Sequence, residues 1–155
     1  MKIENQNKIK KIISIILLIF WCMLIFYFSN QVGSLSENSS SRLINFFNNL
    51  FSINLYKFKY IRFIVRKLAH VFLYFVLSLL SLNCFKRFKY QKYIIISFIF
   101  CLIYSIFDEF HQFFISERSA QITDVLIDSI GVFLGIIMYF IINKYLTNRT
   151  NKHSK

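Results

Sequence analysis

The sequence has no proline and only three glycines, which excludes collagen-like, Pro/Gly-rich and disordered classes. Acidic residues are scarce too. Seven Asp and Glu face nineteen Lys and Arg, a formal net charge of +12. Charged residues are 17% of the chain and hydrophobic ones 56%, whereas soluble domains sit near about 25% charged and about 45–50% apolar. A soluble domain of 155 residues could not easily hide twenty phenylalanines and the accompanying Ile and Leu. The surplus calls for another apolar phase, the bilayer. Cys22, Cys84 and Cys101 are far apart and form no C-x-x-C, so neither a zinc site nor a disulfide framework is indicated.

What the chain does have is long apolar runs. Ile12–Phe28, Phe63–Leu82, Tyr93–Phe107 (continuing helically to Phe114) and Val125–Ile142 are each close to membrane-spanning length. The first is aromatic and lacks an A-x-A site, so it reads as an uncleaved anchor rather than a signal peptide. The fold expected is an all-α integral membrane protein, a bundle of about four transmembrane helices. Residues 1–11 form a cytoplasmic N-terminus, 12–142 the membrane domain and 143–155 a basic cytoplasmic tail.

The basic residues fall between the apolar runs, which suits membrane topology and anionic headgroups rather than nucleic acid. Lys2, Lys8, Lys10 and Lys11 precede the first span. Lys86, Arg87, Lys89 and Lys92 fill the link between the second and third. Lys144, Arg149, Lys152 and Lys155 follow the fourth. These groups share one side of a four-span chain, so both termini are expected in the cytoplasm of a multi-pass cell-membrane protein. Arg42, Lys57, Lys59 and Arg62 oppose this, but in a long loop that the rule weighs less. Within that loop Leu43, Ile44, Phe47, Leu50 and Phe51 share a helical face. They predict an interfacial amphipathic helix, either lying on the outer interface or capping the bundle.

Five of the seven acids lie between Asp108 and Asp128, where the third span ends and the fourth begins. At helical spacing Tyr104, Asp108, His111 and Gln112 share a face, as do Asp124, Asp128, Gly131 and Gly135. The two glycines would let a neighbouring backbone approach closely. In the second span Arg62, Arg66, His70, Tyr74 and Ser78 form a stripe at four-residue intervals. An ionisable group near mid-bilayer costs about 2.5–3.5 kcal/mol on insertion scales. The stripe is therefore expected to face Asp108, Glu109, Asp124 or Asp128, with Arg118 as a further partner.

Several roles fit this cluster. A buried ion-pair network could simply lock the spans. Arg66, Lys67, His70 and Arg118 could bind an anion or headgroup, since guanidinium forks suit phosphate. His70 with Asp108 or Glu109 could act as acid and base. His70, Asp108, Glu109 and His111 offer metal-ligand types, but the D-E-x-H-Q pattern lacks the His pair of zincins, so neither metal nor cofactor is expected. Ser29 and Gln31, ending the first span, would complete the cluster on the outer face.

The ordered set Phe28-Ser29-Asn30-Gln31, Arg66-Lys67-Leu68-Ala69-His70 with Tyr74, Asp108-Glu109-Phe110-His111-Gln112, Arg118, Asp124 and Gly131/Gly135 resembles the VanZ-like family of bacterial membrane proteins. The resemblance covers roughly residues 12–142. It departs at Ser116-Glu117, where the family often has Pro or Gly, and at Asp128, where Asn is common. It implies a multi-pass cell-membrane protein of the bacterial envelope. The family's namesake is linked to low-level resistance to the glycopeptide teicoplanin. Whether the chain is an enzyme stays open, with a non-enzymatic role favoured. The expected role is binding of an anionic lipid or lipid-linked cell-wall precursor. The alternative is a small enzyme acting on a lipid phosphate. Expected partners are membrane lipids and not nucleic acid.

Overall fold

A computed structural model describes residues 2–31, 33–52, 54–58, 60–116 and 121–153. Among them run five α-helices: α1 (Lys2–Ser29), α2 (Gly33–Phe51), α3 (Ile61–Arg87), α4 (Tyr93–Gln112) and α5 (Ile122–His153). A short 3-10 turn, Leu55–Lys57, joins α2 to α3, and the Asn54 side chain caps it by accepting the Tyr56 N–H. Four helices, all but α2, are long and apolar enough to cross a membrane.

The helices outrun the apolar stretches that announce them. The first extends ten residues before Ile12, and the last eleven beyond Ile142, into polar sequence. Hydropathy marks what lipid covers. Helicity continues until something stops it, and here no proline does. Two ends are made by non-glycine residues in the left-handed region, Ser52 (φ 51°) after α2 and Lys89 (φ 60°) after α3. Such a residue costs about 1–2 kcal/mol. The third span ends at Gln112 rather than Phe114, with Phe113 already the cap.

The central helix is α3, which packs against the other four and most extensively against α5. The reason lies at Gly131 and Gly135. A Cβ at Gly131 would overlap the Val71 carbonyl oxygen, and one at Gly135 would meet the Phe75 carbonyl oxygen at 2.7 Å and the Ser78 hydroxyl. Only hydrogen fits at these crossings. Serines serve the same close packing. Ser78, Ser81, Ser97 and Ser105 are buried; the Ser78 and Ser81 hydroxyls donate to carbonyls three residues back in their own helix, at 2.9 Å each.

Polarity is inverted relative to a water-soluble bundle. Phe20 is 56% exposed and Ile137 54%, while Asp128 is 0% exposed. That pattern suits lipid outside and polar contacts inside. The amphipathic α2 packs on the bundle through part of its apolar face. Ile44 is fully buried and the helix packs on α3, whereas Phe46, Phe47 and Leu50 remain exposed.

Candidate functional site

Three helices deliver ionisable side chains to one end of the bundle. Lys67 of α3 forms an ion pair with Asp124 in the first turn of α5. One turn deeper, His70 Nδ1 lies 3.3 Å from Asp128 Oδ1. Asp128 also joins α4, because the Ser105 hydroxyl donates to its Oδ2 at 2.6 Å. A three-residue step on α3 and a four-residue step on α5 make this register possible: Lys67 and His70 climb one helix face as Asp124 and Asp128 climb the other. Tyr74 continues the stripe, fully buried.

The end of α4 contributes Asp108, Glu109 and Gln112, all buried. Gln112 Nε2 donates to Asp108 Oδ2 at 3.3 Å. Glu109 Oε2 accepts the Gln121 backbone N–H at 3.0 Å, which ties the start of α5 to α4. Its other oxygen, Oε1, is buried and has no hydrogen-bond partner among the described residues.

Not every expected member joins. His111 turns the other way, stacking on Phe26 with ring centroids 4.7 Å apart and placing Nε2 3.4 Å from Asn30 Oδ1. The four-residue metal set His70, Asp108, Glu109 and His111 is thus not the one the fold assembles. Ligand atoms of His70, Glu109 and Asp128 instead lie within 4.8 Å of one another. Arg66, expected against a carboxylate, makes no ion pair among the described residues; its guanidinium sits 5.9 Å from the centre of the Phe63 ring. Arg118 and Glu117 lie outside the described residues.

Beside the ionic cluster lies a cavity of about 370 Å³ between α1, α2 and α3. Trp21, Leu24, Ile25, Phe72 and Leu73 make its apolar walls. Ser29, Gln31, Arg66, His70 and Asp108 give it a polar end. His70 therefore belongs to both the cavity and the Asp128 contact. Phe72, 58% exposed, stands on the cavity wall and on the lipid-facing surface at once. The Trp21 indole N–H donates to the Leu73 carbonyl at 2.9 Å, and the Tyr104 hydroxyl to the Cys22 carbonyl at 2.6 Å. These bonds tie α1 to α3 and to α4.

The sequence reading missed Trp21, Ser39, Ser40 and Ser105. Ser105 precedes Asp108 by one helical turn, and a serine on that face was its only signal. Ser39 and Ser40 line the cavity from α2, a placement set by tertiary packing with no local pattern.

Fold and site together define a helical protein of multi-pass membrane type, with Lys67, Asp108, Glu109, Asp124 and Asp128 turned inward. A family model described as VanZ/LLP1 matches residues 14–143, and the chain belongs to that family. No curated protein and no solved structure gives a significant match.

Proposed function

We propose that this protein binds an anionic amphiphile, a lipid phosphate or a lipid-linked cell-wall precursor, at the outer leaflet of the cell membrane, with both termini cytoplasmic. The observation that carries the reading is the two-ended cavity: a volume of about 370 Å³ with apolar walls and a polar end at Arg66 and His70. Small-molecule sites occupy roughly 300–1,000 Å³. An acyl or isoprenoid chain suits the walls of Trp21, Leu24 and Leu73. A phosphate suits a guanidinium that no carboxylate among the described residues holds. Lys67, committed to Asp124, positions α3 rather than the ligand. Phe72 gives a side entrance from the bilayer. Glycopeptide resistance of the teicoplanin type would follow if this occupancy reduced the drug's access to its target.

The test is native mass spectrometry of the full chain released from nanodiscs of mixed phosphatidylglycerol and phosphatidylcholine. One phosphatidylglycerol should stay bound per chain, and Arg66→Ala should cut that occupancy at least about tenfold, an energy of roughly 1.4 kcal/mol. Equal retention of both lipids by the wild type would overturn the reading. In cells that show a resistance phenotype, Arg66→Ala and Asp108→Asn should abolish it while the protein still accumulates in the membrane.

A second reading is favoured by the His70–Asp128 contact, since a carboxylate on Nδ1 is a common way to orient an imidazole for proton transfer. Here the chain would be an enzyme on a lipid phosphate, with His70 and Asp108 or Glu109 as acid and base. It requires turnover. Release of phosphate from lipid phosphates by the purified protein, stopped by His70→Ala, would favour it over simple binding.

A further inference from the structure

We propose that His70, Glu109 and Asp128 form a binding site for one divalent transition-metal ion, of the Mn²⁺, Fe²⁺ or Zn²⁺ type. The three come from α3, α4 and α5 and offer one imidazole nitrogen and two carboxylate oxygens within 4.8 Å of one another. A tetrahedral ion bonded at about 2.0–2.2 Å holds its ligand atoms about 3.3–3.6 Å apart, a separation that His70 Nδ1 and Asp128 Oδ1 already have at 3.3 Å, so the set closes when the Glu109 carboxylate draws in by about 1 Å.

The outer contacts are those that a metal site needs. Asp128 has its Oδ2 held by the Ser105 hydroxyl at 2.6 Å, which leaves Oδ1 toward His70. Glu109 has its Oε2 held by the Gln121 N–H at 3.0 Å, which leaves Oε1. Each carboxylate is thus oriented through one oxygen and presents the other, as supporting groups around a metal do. The Glu109 Oε1 is the independent sign. It is a buried carboxylate oxygen with no partner among the described residues, in a residue 5% exposed, and such an atom costs stability unless something satisfies it. Mixed nitrogen and carboxylate donors suit borderline metals better than Mg²⁺ or Ca²⁺, which prefer oxygen alone. Three protein ligands leave coordination positions open, and His70 borders the cavity, so the ion would sit where an anionic headgroup ends.

The experiment is a Mn²⁺ titration of the full-length protein in detergent micelles without added lipid, so that failure of metal binding and failure of amphiphile binding read out separately. Electron paramagnetic resonance counts free Mn²⁺, and electron spin-echo modulation detects a nitrogen ligand. The expected result is one Mn²⁺ per chain, with modulation from one imidazole nitrogen that His70→Gln removes. Zn²⁺ should displace the Mn²⁺. Glu109→Gln and Asp128→Asn should each weaken binding at least about tenfold, the lower end of what even supporting residues cost. No Mn²⁺ bound above an empty-micelle blank would overturn the proposal. So would bound Mn²⁺ without nitrogen modulation in the wild type, a readout that needs no variant to fold.

Discussion

Replacing Lys67 by Met strips the partner from Asp124. The two side chains are each 11% exposed, and among the described residues the other side-chain hydrogen bond to Asp124 is a 3.4 Å contact from the Thr123 hydroxyl. Breaking a buried pair from one side costs about 3–5 kcal/mol, most of it the charge left behind, while removing both partners together is often close to neutral. Lys67→Met should therefore destabilise the bundle by about 3 kcal/mol. Asp124→Leu alone should cost a similar amount, plus about 0.3–1 kcal/mol for losing an acid in the first turn of α5. The double variant should recover a coupling energy of at least about 2 kcal/mol, and the cycle cancels the helix-end contribution. Reversible unfolding by SDS in mixed micelles gives the measurement. The reporter is the fluorescence of Trp21, the one tryptophan in the sequence, whose indole bonds α1 to α3. Single variants within about 0.5 kcal/mol of wild type, or strictly additive losses, would refute the buried-pair reasoning.

Gly135→Val should cost about 2–3 kcal/mol in the same assay, because backbone at Phe75 blocks the new side chain and overpacking of a tight contact costs that much. Ile137→Val, on the lipid-facing side of the same helix, should stay within about 0.5 kcal/mol; the reverse order would mean that the α3–α5 crossing is not close-packed. Lys89→Gly should stabilise by up to about 1 kcal/mol, since glycine adopts φ 60° without the side-chain penalty. A loss of stability there would show that the left-handed turn after α3 is not strained.

The spans were legible because lipid demands contiguous apolar residues, and Ile12–Phe28 or Val125–Ile142 can be little else. Their ends were not, since Lys, Asn and Tyr beyond them carry no stop signal in a chain without proline. Half of the site was legible for a similar reason. His70, Asp124 and Asp128 lie on stripes at helical spacing, and a charged residue inside a span must turn inward. The pairing was not. Adjacent residues on a helix point about 100° apart, so whether Arg66 or Lys67 meets α5 depends on a rotation fixed by Gly131 and Gly135. His111 shared a face with Asp108 by spacing alone, yet it sits in the last turn of α4, where Phe26 and Asn30 of α1 offer it a nearer partner. The cavity was invisible, because it is a gap between three helices and no local pattern encodes a gap.

The account rests on the polar end of the bundle facing outward, toward the envelope. Ser116, exposed in the link between α4 and α5, reports this directly. Ser116→Cys in intact cells should react with a membrane-impermeant maleimide, with the wild-type chain as blank, while Lys89→Cys reacts only after the membrane is permeabilised. Labelling of Ser116→Cys only after permeabilisation would place the cluster on the cytoplasmic side and contradict the envelope-ligand reading.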